Sequence, residues 1–63
     1  MPLTETEQVN HITELLDIAG IVQAAAAVLA AQPSHAITVR SKAVLARKRL
    51  DDFITAFSTD VGD

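Results

Sequence analysis

Three side chains near the start of the chain have types and spacing that suit metal binding. Glu7, His11 and Glu14 are separated by four and three residues, so they share one face of an α-helix. Carboxylates and imidazoles are ordinary ligands of zinc and iron. Carboxylate-bridged helical bundles, however, use the order Glu-x-x-His from inward-facing positions, whereas here the histidine comes first. We therefore expect an exposed polar face, with no bound metal or other cofactor.

The other chemically active residues are scattered. His35 stands alone, and no serine or threonine has a histidine and a carboxylate in a suggestive arrangement. Gly20 and Gly62 are the only glycines, so a glycine-rich phosphate loop is excluded. Cysteine is absent, which excludes disulfides and thiolate metal sites. Because a chain this short also offers little concavity for a water-excluding pocket, we predict a non-enzymatic protein without catalytic residues.

All five positive charges lie between residues 36 and 50, a segment that has no acidic residue. Cations gathered on one helix contact phosphates in many nucleic-acid complexes, which makes an RNA- or DNA-binding homodimer an alternative hypothesis. No aromatic residue is interleaved for base stacking, and Asp51 and Asp52 follow directly. The net charge of −3 also lacks the attraction that drives nonspecific binding. The residues of this alternative are Arg40, Lys42, Arg47, Lys48 and Arg49.

Two helices must position these side chains. Thr4 and Glu7 have the spacing of a capping box. Pro33 disfavours helical geometry at Gln32, and Ser34 is a good N-cap for the next helix. The predicted organisation of the single domain 1–63 is helix 1 at about 5–31, a turn at 32–35, helix 2 at about 35–58 and a frayed tail at 59–63.

The two helices differ in their apolar patterns. Helix 2 has one heptad seam, formed by Val39, Ala43, Ala46, Leu50, Phe53 and Phe57. Helix 1 begins amphipathic, with Ile12 and Leu15 on one side, and then becomes apolar nearly all round. A helix of that kind is buried nearly all round, although its own second helix covers only one face. At similar heights, Asp17 and Arg49 are a candidate ion pair between the helices.

Self-association follows from this excess of apolar surface. We predict an all-α fold, an antiparallel helical hairpin that dimerises into a four-helix bundle with two-fold symmetry. In layout alone, this prediction resembles the small plasmid copy-number regulator Rop, also a two-helix chain that dimerises into four helices. The predicted self-association residues are Leu15, Ile18, Val22, Ala25, Leu29, Leu50, Phe53 and Phe57.

A second surface is predicted on helix 2. Ile37, Arg40, Val44 and Arg47 lie off the main seam, and mixed apolar and arginine surfaces are typical of recognition sites. The leading hypothesis is therefore a regulator, adaptor or inhibitor that occludes a surface of another protein. The same residues equally fit an extension of the oligomer interface.

A cytoplasmic location is expected. The acidic first residues do not resemble a secretory signal, which needs basic ones. The longest apolar stretch, residues 18–31, is interrupted by Gln23 and is shorter than the roughly 20 residues that cross a bilayer. We therefore expect no membrane insertion.

Overall fold

A computed structural model describes residues 3–62, which form two long helices joined by a short turn. Helix α1 spans Glu5–Ala31 and helix α2 spans Ala36–Val61. The helices pack antiparallel as a slab measuring 47 × 17 × 10 Å, which is one helix thick. The predicted all-α class and helical hairpin are therefore confirmed for these residues.

The start of α1 is held by a capping box. The Thr4 hydroxyl accepts a hydrogen bond from the Glu7 backbone N–H at 3.1 Å, and the Glu7 carboxylate accepts one from the Thr4 backbone N–H at 2.9 Å. The Thr4 backbone bond, then the Thr4 side chain and the nearby His11, lower the pKa of Glu7 from its ordinary value. The capping box therefore favours the ionised form of Glu7.

The turn and the end of α2 differ from the sequence-based expectations. The N-cap of α2 is His35 rather than Ser34, and it makes no side-chain capping bond. Helix α2 also continues beyond residue 58 to Val61, where Gly62 ends it in the left-handed conformation at φ 80°. Glycine adopts this conformation without the steric penalty of a side chain, and its N–H bonds to the carbonyls of Ser58 and Thr59.

The contact between the helices is narrow. Among residues 3–62, Ile18, Ala25 and Ala46 are the buried apolar residues. Small alanines on both helices suit a close approach of the two backbones. The half-buried residues of the contact follow heptad spacing on both helices: Glu7, His11, Glu14, Ile21 and Val28 on α1, and Val39, Lys42, Arg49, Phe53, Phe57 and Asp60 on α2. We call these positions, with the three buried residues, the inner seam.

The composition of the inner seam corrects the sequence-based assignment of faces. The predicted solvated face of Glu7, His11 and Glu14 turns toward α2 instead. On α2, the predicted seam residues Ala43 and Leu50 are exposed. The polar side of α1 packs inward, where Arg49 and Asp60 of α2 pair with it. The apolar side of α1 is consequently left uncovered.

Candidate protein-binding surfaces

A polar and aromatic cluster closes the open end of the hairpin. His11 Nε2 lies 2.8 Å from Asp60 Oδ2. The His11 ring meets the rings of Phe53 and Phe57 edge-on, with centroids 5.5 and 5.1 Å apart. Its side chain is 12% exposed, so most of the imidazole is shielded by α2. This cluster joins the first turns of α1 to the last turns of α2.

Glu14 is the partner of Arg49. One guanidinium nitrogen of Arg49 donates to the Glu14 carboxylate at 3.2 Å. The suggested pair of Asp17 with Arg49 is wrong, because Asp17 is exposed and Glu14 is the residue that lies on the inner seam. Glu7, His11 and Glu14 thus each engage a different partner. Within residues 3–62, no group of three His, Cys, Asp or Glu side chains is arranged to hold a metal ion.

The exposed side of α1 carries a second heptad seam. Each residue of this second seam follows an inner-seam residue by one position. The second seam consists of Ile12, Leu15, Ala19, Val22, Ala26 and Leu29. All six side chains are exposed, with Val22 at 53% and Leu29 at 52%. Because one residue of an α-helix corresponds to about 100° of rotation, this seam points to the side of the hairpin rather than away from α2.

Helix α2 contributes to the same side. Ala43, Leu50 and Ile54 also follow inner-seam positions by one residue and are exposed. Arg40 and Arg47 share this offset and lie, with Ile54, at the edge of this side that is farther from α1. Antiparallel helices rotate in opposite senses for a common viewer, so a one-residue offset on both turns their second seams toward the same broad surface of the slab. We call this surface the apolar face. It comprises Ile12, Leu15, Ala19, Val22, Ala26 and Leu29 of α1 with Ala43, Leu50 and Ile54 of α2.

The opposite broad surface of the slab carries mostly polar or small side chains. By the same geometry, it carries the residues that precede the inner seam by one position. On α1 these include Asn10, Thr13, Asp17 and Gly20, and on α2 they include Thr38, Ser41, Lys48 and Asp52. Leu45 is the large apolar exception, at 48% exposed. The two broad surfaces of the hairpin therefore differ, and six of the eleven large apolar residues exposed among residues 3–62 lie on the apolar face.

The predicted self-association residues divide into two groups. The structure places Leu15, Val22, Leu29 and Leu50 on the apolar face, where another chain can reach them. The remaining four residues lie on the inner seam, where they pack between the two helices of the same chain: Ile18, Ala25, Phe53 and Phe57. Sequence reasoning did not assign His11 and Asp60 to the helix contact. The sequence signal that could have revealed the position of His11 is the unbroken alternation of four- and three-residue spacings from Glu7 to Val28. This spacing marks a seam between helices even though its first residues are polar.

The predicted partner-binding residues form a line along the outside of α2. We call this line, extended by Asp51, the outer strip: Ile37, Arg40, Val44, Arg47 and Asp51. All five residues are exposed, and Ile37 is exposed to 84%. Ile37, Val44 and Asp51 point away from α1, whereas Arg40 and Arg47 lie at the rim of the apolar face. Covering the centre of the apolar face would leave this outer edge of α2 exposed.

The predicted nucleic-acid set does not form one patch. Arg49 pairs with Glu14, and Lys48 Nζ lies 3.7 Å from the Asp52 carboxylate. Lys42 is half-buried on the inner seam. Only Arg40 and Arg47 of the five share a surface without an ion pair inside the described part of the chain. The cations are thus divided among three sides of α2.

No protein-family model, curated protein or solved structure matches this chain. The function is therefore argued from the hairpin's own surfaces.

Helix α1 has 27 residues and is therefore longer than the apolar stretch at 18–31, on which the expectation of no membrane insertion depended. By length and composition it is apolar enough to cross a bilayer, as core helices of soluble proteins and signal sequences also are. Helix α2, however, packs along it and carries all five cations of the chain. Charged side chains at the bilayer centre are costly. Membrane entry of the intact hairpin would therefore have to bring those charges with it.

Proposed function

We propose that this protein is a non-enzymatic protein-interaction module that acts as a homodimer. The observation that carries the proposal is the apolar face, on which both helices leave large side chains uncovered along nearly the full length of the hairpin. Complete burial of one leucine, isoleucine or valine stabilises by about 1.5–3 kcal/mol relative to exposure. An apolar patch of this extent marks an association site.

A second copy of the hairpin suits this face. The two heptad seams of α1 are about 100° apart, close to the angle between the two neighbours of each helix in a square four-helix bundle. The broad side of the slab measures 47 Å by 17 Å, a projected area of about 800 Å². A face of this extent is large enough to bury the roughly 800 Å² of accessible surface that one partner contributes to an interface of standard size. A two-fold dimer would bury the apolar faces of both chains at once.

In the proposed dimer, the outer strips remain available for another protein. The module would act as a regulator, adaptor or inhibitor that docks α2 onto a partner and occludes its surface. We place it in the cytoplasm, because the charges of α2 and the ion pairs between the helices favour water over lipid.

The experiment is a measurement of mass in solution by sedimentation equilibrium over a wide concentration range. The wild-type chain should sediment with twice its chain mass of 6.7 kDa. Val22→Glu should shift the equilibrium toward the monomer, because it places a charge in the buried centre of the interface. Thr13→Glu adds the same charge to the polar surface of α1 and should leave the dimer intact. A helical wild-type monomer at micromolar concentration would refute the proposal.

A further inference from the structure

The outer strip has an ordered arrangement of apolar and charged groups. Ile37 and Val44 are one heptad apart, as are Arg40 and Arg47. On a helix, each heptad advances by about 10.5 Å. Arg40 and Arg47 make no ion pair within residues 3–62, in contrast to Lys48 and Arg49. The strip thus offers two apolar side chains and two free guanidinium groups, all repeated at the same interval.

From this arrangement we infer that the outer strip binds an acidic amphipathic helix of a partner protein. A helix lying along α2 repeats its own side chains at the same interval, so its apolar seam would cover Ile37 and Val44. Glutamates or aspartates beside that seam would pair with Arg40 and Arg47, as flanking charges do in coiled coils. This inference rests on the proposed function and names the chemistry of its partner.

Asp51 sets the direction of the bound helix. It lies one heptad after Val44 and ends the strip with a negative charge. Along the strip, two cations, Arg40 and Arg47, are followed by one anion, Asp51. A partner helix that has acidic residues beside the two arginines and a lysine or arginine beside Asp51 complements this order. The reversed partner brings like charges together at both ends, which is unfavourable.

The same features disfavour a phosphate backbone as the occupant. Apolar residues alternate with the two arginines, so a nucleic acid would lie against Ile37 and Val44 without pairing with them. Asp51 on the same line repels phosphates. Of the other cations, Arg49 is paired with Glu14 and Lys48 is paired with Asp52, so neither is free to contact a phosphate without breaking an ion pair.

The test uses synthetic helical peptides as probes. The acidic probe is a fluorescein-labelled amphipathic peptide with leucines at a and d, glutamates beside them and a lysine at one end. A second peptide has the charges exchanged, and an oligothymidine strand probes nucleic-acid binding. Fluorescence anisotropy measures the affinity of each probe for the dimer, and sedimentation of the same samples measures its mass.

Matched variants assign binding to the strip. Arg47→Glu should weaken binding of the acidic probe by about tenfold and strengthen binding of the charge-exchanged probe, because attraction at that position becomes repulsion. Lys48→Glu makes the same charge change on the other side of α2 and should leave the affinity within about twofold. Val44→Glu should abolish binding without changing the dimer's mass, whereas Leu45→Glu should change neither.

Three results would overturn the inference. A wild-type dimer that leaves the acidic probe free at about 100 μM, a millimolar-range affinity or weaker, lacks the site but keeps the proposed function. Displacement of the probe by the oligothymidine strand would assign the strip to nucleic acid. Loss of the dimer in Val44→Glu would assign Val44 to the self-interface. A wild-type monomer, by contrast, would refute the proposed function itself.

Discussion

His11 and Asp60 are 49 residues apart in the chain, yet His11 Nε2 lies 2.8 Å from Asp60 Oδ2. This contact joins the open end of the hairpin, opposite the turn. The imidazole packs against both Phe53 and Phe57, whose own rings are stacked with centroids 5.4 Å apart. The last turns of α2 are consequently tied to α1 by aromatic packing and by one polar contact together.

Replacing His11 should destabilise the hairpin. His11→Ala removes the contact with Asp60 and the packing against both phenylalanines, and we expect a loss of about 1–3 kcal/mol in the free energy of unfolding. His11→Phe should recover part of this loss, since it restores aromatic packing alone. Urea unfolding followed by circular dichroism at one fixed chain concentration measures both variants. His35→Ala, in the exposed turn, is the control, and an equal loss there would contradict the assignment.

The ion pair of Glu14 with Arg49 should contribute little. Both side chains are more than a third exposed, so solvent screens their attraction. A double-mutant cycle with Glu14→Gln and Arg49→Gln should give a coupling free energy between 0 and about 1 kcal/mol. The matched cycle of Asp17→Asn with Arg49→Gln should give a coupling near zero. A larger coupling for Asp17 would show that Arg49 pairs with Asp17 and would contradict its assignment to Glu14.

Acid should loosen the start of α1. Hydrogen bonding to Thr4 lowers the pKa of Glu7 in the folded state below its ordinary value of 4.5. The resulting stability is present above the unfolded pKa and is lost as the pH falls through the folded pKa. The protection of the Thr4 and Glu7 amides from hydrogen exchange, relative to the intrinsic exchange rate at each pH, should therefore fall below pH 4.5. Glu7→Gln keeps a bonding side chain but cannot titrate, so its exchange should lack this added acid sensitivity.

The sequence predicts local structure better than it predicts which faces meet. The Thr4–Glu7 capping box is a local signal, and the structure contains it at the start of α1. The two seams of α1, in contrast, have the same period and differ by one residue, so periodicity alone does not choose between them. Asp60 and Arg49, far along the chain, place the polar seam inside. Hydrophobicity alone would instead place the second, apolar seam of α1 against α2.

The end of α2 was also set by distant residues. Thr59 and Asp60 read as a polar tail that frays, yet both are helical. Asp60 pairs with His11, and Gly62 supplies the left-handed end. A polar residue with a partner on another helix is indistinguishable from a solvated one in a single sequence. The exposure of Ile37, Arg40, Val44 and Arg47 could be predicted because exposure requires no partner, whereas the His11 cluster could not.

The arrangement of the two hairpins in the proposed dimer is a further prediction. The contact of Glu14 with Arg49 places these residues at one height, so Leu15 and Leu50 also lie level. A two-fold axis along the helices preserves heights and would bring Leu15 of one chain against Leu50 of the other. An axis across the helices would instead stack α2 on its copy. Arg47, at mid-length beside Ala46, would then face itself, which is unfavourable. We therefore predict the axis along the helices.

Cysteine cross-linking checks this arrangement, because the native chain contains no cysteine. Leu15→Cys and Leu50→Cys chains, prepared separately and mixed before mild oxidation, should form a mixed disulfide dimer, since their Cα atoms lie across one helix contact. Each variant alone should cross-link far more slowly, because identical residues would then stand diagonally across the bundle. Ala19→Cys is the opposing probe, located at mid-length on the apolar face of α1. Rapid cross-linking of Ala19→Cys with itself, and none between the mixed chains, would place α1 against α1 and contradict the predicted axis.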